Sequence, residues 1–103
     1  MNTQGWIRAT MAKNMEVEKF LQHVAECLGR EFDLCSEVIK CNDKYIIKLG
    51  GYECVIDSEK VSELKAKSPY ALDRYLLDRL RTMDFDFDMN RSQYIRYCYN
   101  IFN

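Results

Sequence analysis

From residue 14 onward the apolar positions fall into a helical period: Val17, Phe20, Leu21, Val24 and Leu28 stand at i, i+3, i+4, i+7 and i+11. That spacing puts one apolar stripe along a helix, with Asn14 as its N-cap and Gly29 as its stop. The period then shortens. Residues 34–40, 44–49 and 52–57 are rich in β-branched and aromatic side chains, and Tyr52, Cys54 and Ile56 alternate with Glu53, Val55 and Asp57. Asn42-Asp43 and Gly50-Gly51 separate the three runs with the chemistry of two-residue hairpin loops, which predicts a three-stranded antiparallel meander. So small a sheet needs helices to cover one face.

Helical spacing resumes after the sheet. Asp57 or Ser58 caps a short helix over residues 58–67 with Val61 and Leu64 inward. Ser68-Pro69 restarts the chain with serine as N-cap and proline at the first helical position, and Leu72, Tyr75, Leu76, Leu80 and Met83 form the next stripe. A last helix is capped by Asn90 or Ser92, with Tyr94 or Ile95, Cys98, Ile101 and Phe102 buried. Before residue 14 no period is sustained, so residues 1–13 read as a loosely held arm and residues 14–103 as one α+β domain. The expected architecture is an N-terminal helix, a three-stranded antiparallel meander, and three helices on one face of the sheet. The middle and last of those three should pack on the sheet and on each other.

Between the last two helices, DFDFD at residues 84–88 alternates carboxylates with rings. An EF-hand reading fails, because Met89 stands where the sharp turn needs glycine and Ile95 where the twelfth ligand should be glutamate. Phe85 and Phe87 turned inward, with the aspartates solvated, is the expected arrangement, and no metal site is assigned.

Charge and cysteine content narrow the function classes. The net charge is −1, and acids and bases are balanced in both parts of the chain, so there is no global basic field for nucleic acid. Five cysteines without a CxxC spacing fit reduced thiols, and the chain lacks both an apolar leader and a bilayer-length apolar run; a cytoplasmic location without membrane contact follows. One histidine and the absence of a Gly-rich phosphate loop, GxSxG or HExxH argue against the common enzyme chemistries and against a bound cofactor. His23 and Cys27, at i and i+4, are close enough to touch, but on an exposed helix they lack an orienting third group.

The remaining signal is an asymmetry of cation type: all five cations after residue 67 are arginine, whereas eight of the ten before it are lysine. Arginine forks onto carboxylates and phosphates and stacks on rings. Arg91, Arg96, Tyr97 and Tyr99 on the outward side of the last helix, together with Arg74 and Arg81 on the helix before it, are therefore the candidate partner-binding residues. The plainer account of these residues is a solvated helix face with intrahelical pairs such as Arg74 with Asp78.

NRSQYIRYC, residues 90–98, resembles the start of the second helix of ribbon-helix-helix repressors. That resemblance implies DNA as an alternative partner, with Asn90, Arg91 and Ser92 as phosphate contacts. Those repressors, however, pair one strand with the first helix, unlike the meander expected here. SPYALDRYLLDRLR and NRSQYIRYCYN, with the small size of the chain, resemble short accessory proteins of phages and integrated elements of Gram-positive bacteria, inhibitors of CRISPR nucleases among them. The implied function is a non-enzymatic module that occludes or modulates a protein partner, with a homo-oligomer left open.

Overall fold

The computed structural model describes residues 3–101. The elements run α1 (Thr3–Asn14), α2 (Val17–Phe32), β1 (Ser36–Cys41), β2 (Lys44–Leu49), β3 (Tyr52–Asp57), α3 (Ser58–Lys67), α4 (Ala71–Thr82) and α5 (Gln93–Cys98). The strands form an antiparallel sheet in the order β1-β2-β3. Both hairpin loops fall where turn chemistry places them, with Asn42 and Gly50 in the left-handed region at φ 58° and 59°. The α+β arrangement expected from the period changes is the one observed.

Register explains why one face of the sheet is buried. Val38, Ile47 and Cys54 lie in one cross-strand row, as do Lys40, Tyr45 and Ile56, whereas the intervening row of Ile39, Ile46 and Val55 faces away. Tyr45, Ile47, Leu49, Cys54 and Ile56 are buried, and α2, α3 and α4 lie against the sheet, while α5 packs on α4. Phe20, Leu21, Val24 and Leu28 of α2 are fully buried, as are Leu72, Leu76, Leu77 and Leu80 of α4. Each such side chain contributes roughly 1.5–3 kcal/mol through removal from water.

The expected loose arm is instead helix α1 over its described residues. The element is hidden from a sequence reading because its buried residue is Arg8, whereas Met11 and Ala12 are only partly buried. Asn14 accordingly closes α1, and Glu16 stands before α2.

Gly29 does not stop α2. The helix continues to Phe32 and ends at Asp33 in the left-handed conformation, whose N–H bonds the Gly29 carbonyl. The glycine is required for close approach, since a Cβ there would lie 2.7 Å from the Leu34 carbonyl oxygen. Leu34 N–H also donates to Gly29 O, which is why Leu34 leaves the helix rather than opening the strand.

Two other boundaries shift. The turn at residues 68–70 does not cap α4 through Ser68; the helix begins at Ala71 without a side-chain cap, and the Pro69 carbonyl accepts a hydrogen bond from Arg8 Nη1 at 3.4 Å. Helix α5 is shorter than expected. It stops at Cys98, followed by Asn100 at φ 59° and a bond from Ile101 N–H to the Arg96 carbonyl. Phe102, expected in its buried stripe, lies outside the described residues.

Candidate functional site

The segment joining α4 to α5 is held by its own backbone and by α2. Phe85 N–H returns to the Leu80 carbonyl, and Asp88 Oδ1 accepts the Asn90 N–H at 2.8 Å, a short Asx turn that aims the chain into α5. Ser92 is the N-cap, accepting the Ile95 N–H at 3.1 Å while its hydroxyl donates to Glu31 Oε1 at 3.0 Å. Arg91 Nε donates to the other oxygen, Glu31 Oε2, at 2.7 Å, and its Nη2 to the Glu31 carbonyl. One carboxylate at the end of α2 thus fixes the start of α5.

The DFDFD stretch turns its rings inward and leaves Asp84, Asp86 and Asp88 exposed, as alternation predicts. Its two rings complete a connected row: Tyr52 meets Phe85 at 5.0 Å, Phe85 meets Phe32 at 4.9 Å, Phe32 meets Phe87 at 5.5 Å, and Phe87 meets Tyr99 at 6.2 Å between centroids. Three arginines cover it. Arg91 lies over Phe32 at 4.6 Å, Arg81 over Phe87 at 5.6 Å and Arg74 over Tyr99 at 5.3 Å. All three side chains are exposed, and each guanidinium lies within cation–π range of its ring, with Nε and Nη2 of Arg91 also bonded to Glu31.

Four of the six candidate residues read from the sequence, Arg74, Arg81, Arg91 and Tyr99, therefore lie along one aromatic row. Arg74 and Asp78 do not form the expected intrahelical pair; Asp78 accepts the Tyr99 hydroxyl at 2.9 Å instead. Burial and this bond raise the Tyr99 phenol to about 12. The other two residues are placed differently. Tyr97 is 6% exposed, its ring 6.0 Å from that of Tyr70 and its hydroxyl accepting from Gln93 Nε2, because a six-residue helix turns it onto the core side. Arg96 is half-buried, with its Nε lacking a hydrogen-bond partner.

A second polar cluster was missed in part. His23 Nε2 and Cys27 Sγ do touch, at 3.5 Å, and Arg8 Nη2 and Arg30 Nη2 also reach the sulfur, at 3.5 and 3.6 Å. Burial pushes the Cys27 thiol up despite Arg8, and burial followed by Arg8 pushes His23 down. The pair is therefore a neutral thiol beside a neutral imidazole near pH 7, not a thiolate with an imidazolium. Behind it, Arg8 is ion-paired to the fully buried Asp73, which also accepts the Tyr94 hydroxyl. Arg8 and Asp73 were not singled out in the sequence; the available signal was a carboxylate next to Leu72, inside the apolar arc of α4.

Among the described residues, no group of three or more His, Cys, Asp or Glu side chains is placed to hold a metal ion, and no helix is long and apolar enough to cross a membrane. Compared with known proteins, the chain matches no family model, no curated protein and no solved structure.

Proposed function

We propose that this chain is a non-enzymatic regulatory module that works in a cytoplasm by binding another protein through the arginine-covered aromatic row. The observation that carries this reading is that Arg74, Arg81 and Arg91 lie 5.3, 5.6 and 4.6 Å from the centroids of three rings of one connected row. Contact with a ring restricts each guanidinium before binding, so less side-chain freedom is lost on contact, and ring plus guanidinium is the combination found at interface hot spots. Asp78 is bonded to Tyr99 at the end of the row, and Asp84, Asp86 and Asp88 are exposed in the segment that carries Phe85 and Phe87, a mixture of charge that favours a protein partner over a polyanion. The five cysteines, all free, fit a reducing compartment.

The repressor-like alternative is less well supported. Of Asn90, Arg91 and Ser92, the phosphate contacts that it would use, Ser92 is committed to capping α5 and to Glu31, and the net charge of −1 supplies no general attraction to a polyanion. The likeness of SPYALDRYLLDRLR and NRSQYIRYCYN to accessory proteins of mobile elements directs the search for a partner toward host nucleases that such proteins inhibit. Affinity capture from an extract of the native host, with and without nuclease digestion, tests the reading. A protein recovered in near-stoichiometric amount and indifferent to digestion is expected, whereas recovery of a specific DNA fragment alone would replace it with the repressor alternative.

A further inference from the structure

Helix α3 takes no part in the face above, yet with α4 it forms a second concave surface. Along α3, Lys60, Leu64 and Lys67 stand at i, i+4 and i+7 and share one side; Ala71, Arg74, Tyr75 and Asp78 at i, i+3, i+4 and i+7 do the same along α4. The two stripes border one cleft of about 470 Å³, which the turn at Ser68 and Tyr70 and the residues Cys98 and Asn100 also line. A cleft of that size falls in the range of small-molecule sites.

Its charge is unbalanced. Three cations, Lys60, Lys67 and Arg74, line it against the single carboxylate of Asp78, which is already engaged by the Tyr99 hydroxyl. Among the described residues, Lys67 and Arg74 enter no ion pair, and the pair of Lys60 with Glu63 is a solvent-exposed one at 3.4 Å. This differs from Arg8 and Arg91, each of which has a carboxylate of its own. Uncompensated cations in a concave site concentrate anions there. The rest of the lining is mixed: the polar Ser68 and Asn100 stand with Ala71, the buried Leu64 and Cys98, and the half-buried rings of Tyr70 and Tyr75, the latter 5.7 Å from Lys60 Nζ.

We propose that this cleft binds a small phosphorylated ligand with a flat apolar body, of the mononucleotide class. The cations take the phosphate, and the body lies on the apolar lining beside Tyr75. The proposal does not rest on the protein-partner reading. It shares Arg74 and Asp78 with that face, so Lys67, which belongs to the cleft alone, is the residue on which the test turns.

The test is an NMR titration of the full ¹⁵N-labelled chain with adenosine 5′-monophosphate, adenosine and inorganic phosphate in turn. The expected result is saturable shifts with the nucleotide, confined to the C-terminal half of α3, the following turn, Arg74, Tyr75 and Asn100, with weaker binding of adenosine or phosphate alone. Losing one charge-assisted contact should weaken nucleotide binding about tenfold in Lys67→Ala. Lys67 is exposed, so its melting temperature should stay unchanged. Non-saturable shifts, shifts spread equally over Arg81 and Arg91, phosphate binding as tightly as the nucleotide, or unchanged affinity in Lys67→Ala would each overturn the proposal.

Discussion

Arg8 and Asp73 stand 65 residues apart in sequence and form an ion pair whose side chains are 5% and 0% exposed. The same carboxylate accepts the Tyr94 hydroxyl, so a single buried group joins α1, α4 and the start of α5. Removing one partner of such a pair strands the other charge away from water, which costs about 3–5 kcal/mol, whereas replacing both by apolar groups costs much less. Arg8→Met should therefore lower the unfolding free energy by about that amount. The double variant Arg8→Met with Asp73→Leu should recover a large part of the loss. Urea unfolding of the two proteins checks this, and a loss under about 1 kcal/mol in Arg8→Met would show that α1 is not tied down by the pair.

Within α5, stability and recognition should separate residue by residue. Ile95 is fully buried and Tyr97 nearly so, and truncating either to alanine should cost about 2–5 kcal/mol through lost burial and the cavity left behind. Arg91→Ala removes a half-exposed pair with Glu31, a loss of about 1 kcal/mol or less. Thermal melts of the three variants decide the order. Near-wild-type stability in Tyr97→Ala would contradict its placement against Tyr70.

The five thiols should react in an order set by access and charge state. Cys35 and Cys41 are exposed and should be alkylated first; Cys54 and Cys98 are buried and should be protected until the protein unfolds. Cys27 is half-buried with its thiol pushed up by burial, so it should lag behind Cys35 and Cys41 despite lying near His23 and two arginines. Mass spectrometry after timed iodoacetamide treatment reads this out. Preferential labelling of Cys27 at neutral pH would instead mark it as an activated thiol.

Alkaline pH should destabilise the fold. Burial raises Tyr70 to about 12, and burial and Asp78 raise Tyr99 to about 12; Tyr94 is raised by burial and Asp73, and the Cys54 and Cys98 thiols by burial. Each group binds its proton more tightly folded than unfolded. Their contribution is complete below the unfolded values of about 8.5 for thiols and about 10 for tyrosines, and is lost as pH rises toward the folded values. Urea midpoints should fall from pH 8.5 upward. Stability that held flat to pH 11 would refute the burial of these groups.

The period changes made most of this fold legible from sequence. Val17 to Leu28 announced α2, and Asn42-Asp43 and Gly50-Gly51 announced both hairpins, because in each case the local pattern and the tertiary arrangement agree. Helix α1 was not legible, since what holds it is a charge, Arg8, whose partner lies 65 residues away. Gly29 misled for a similar reason: it serves the close approach of Leu34, not a helix end. At the candidate site, arginine enrichment and the tyrosines of the last helix point to Arg74, Arg81, Arg91 and Tyr99, which lie along one aromatic row. The aromatic row that gathers them depends on Phe32, Tyr52, Phe85 and Phe87, drawn from three separate segments, and no local pattern could join those. The sequence pattern carries the last helix on through Phe102 and sets Tyr97 outward, whereas α5 stops at Cys98 with Tyr97 buried against Tyr70.

The arginine face itself is tested most directly by quantitative capture with Arg74→Ala, Arg81→Ala and Arg91→Ala combined in one protein. Circular dichroism and a melting curve first establish that the triple variant is folded, as the exposure of all three side chains leads one to expect. Interface arginines of this kind typically contribute about 2 kcal/mol or more each to binding, so the partner protein should drop below about 1% of its wild-type recovery. A folded triple variant that still captures the same protein in the same amount would contradict the assignment of this face.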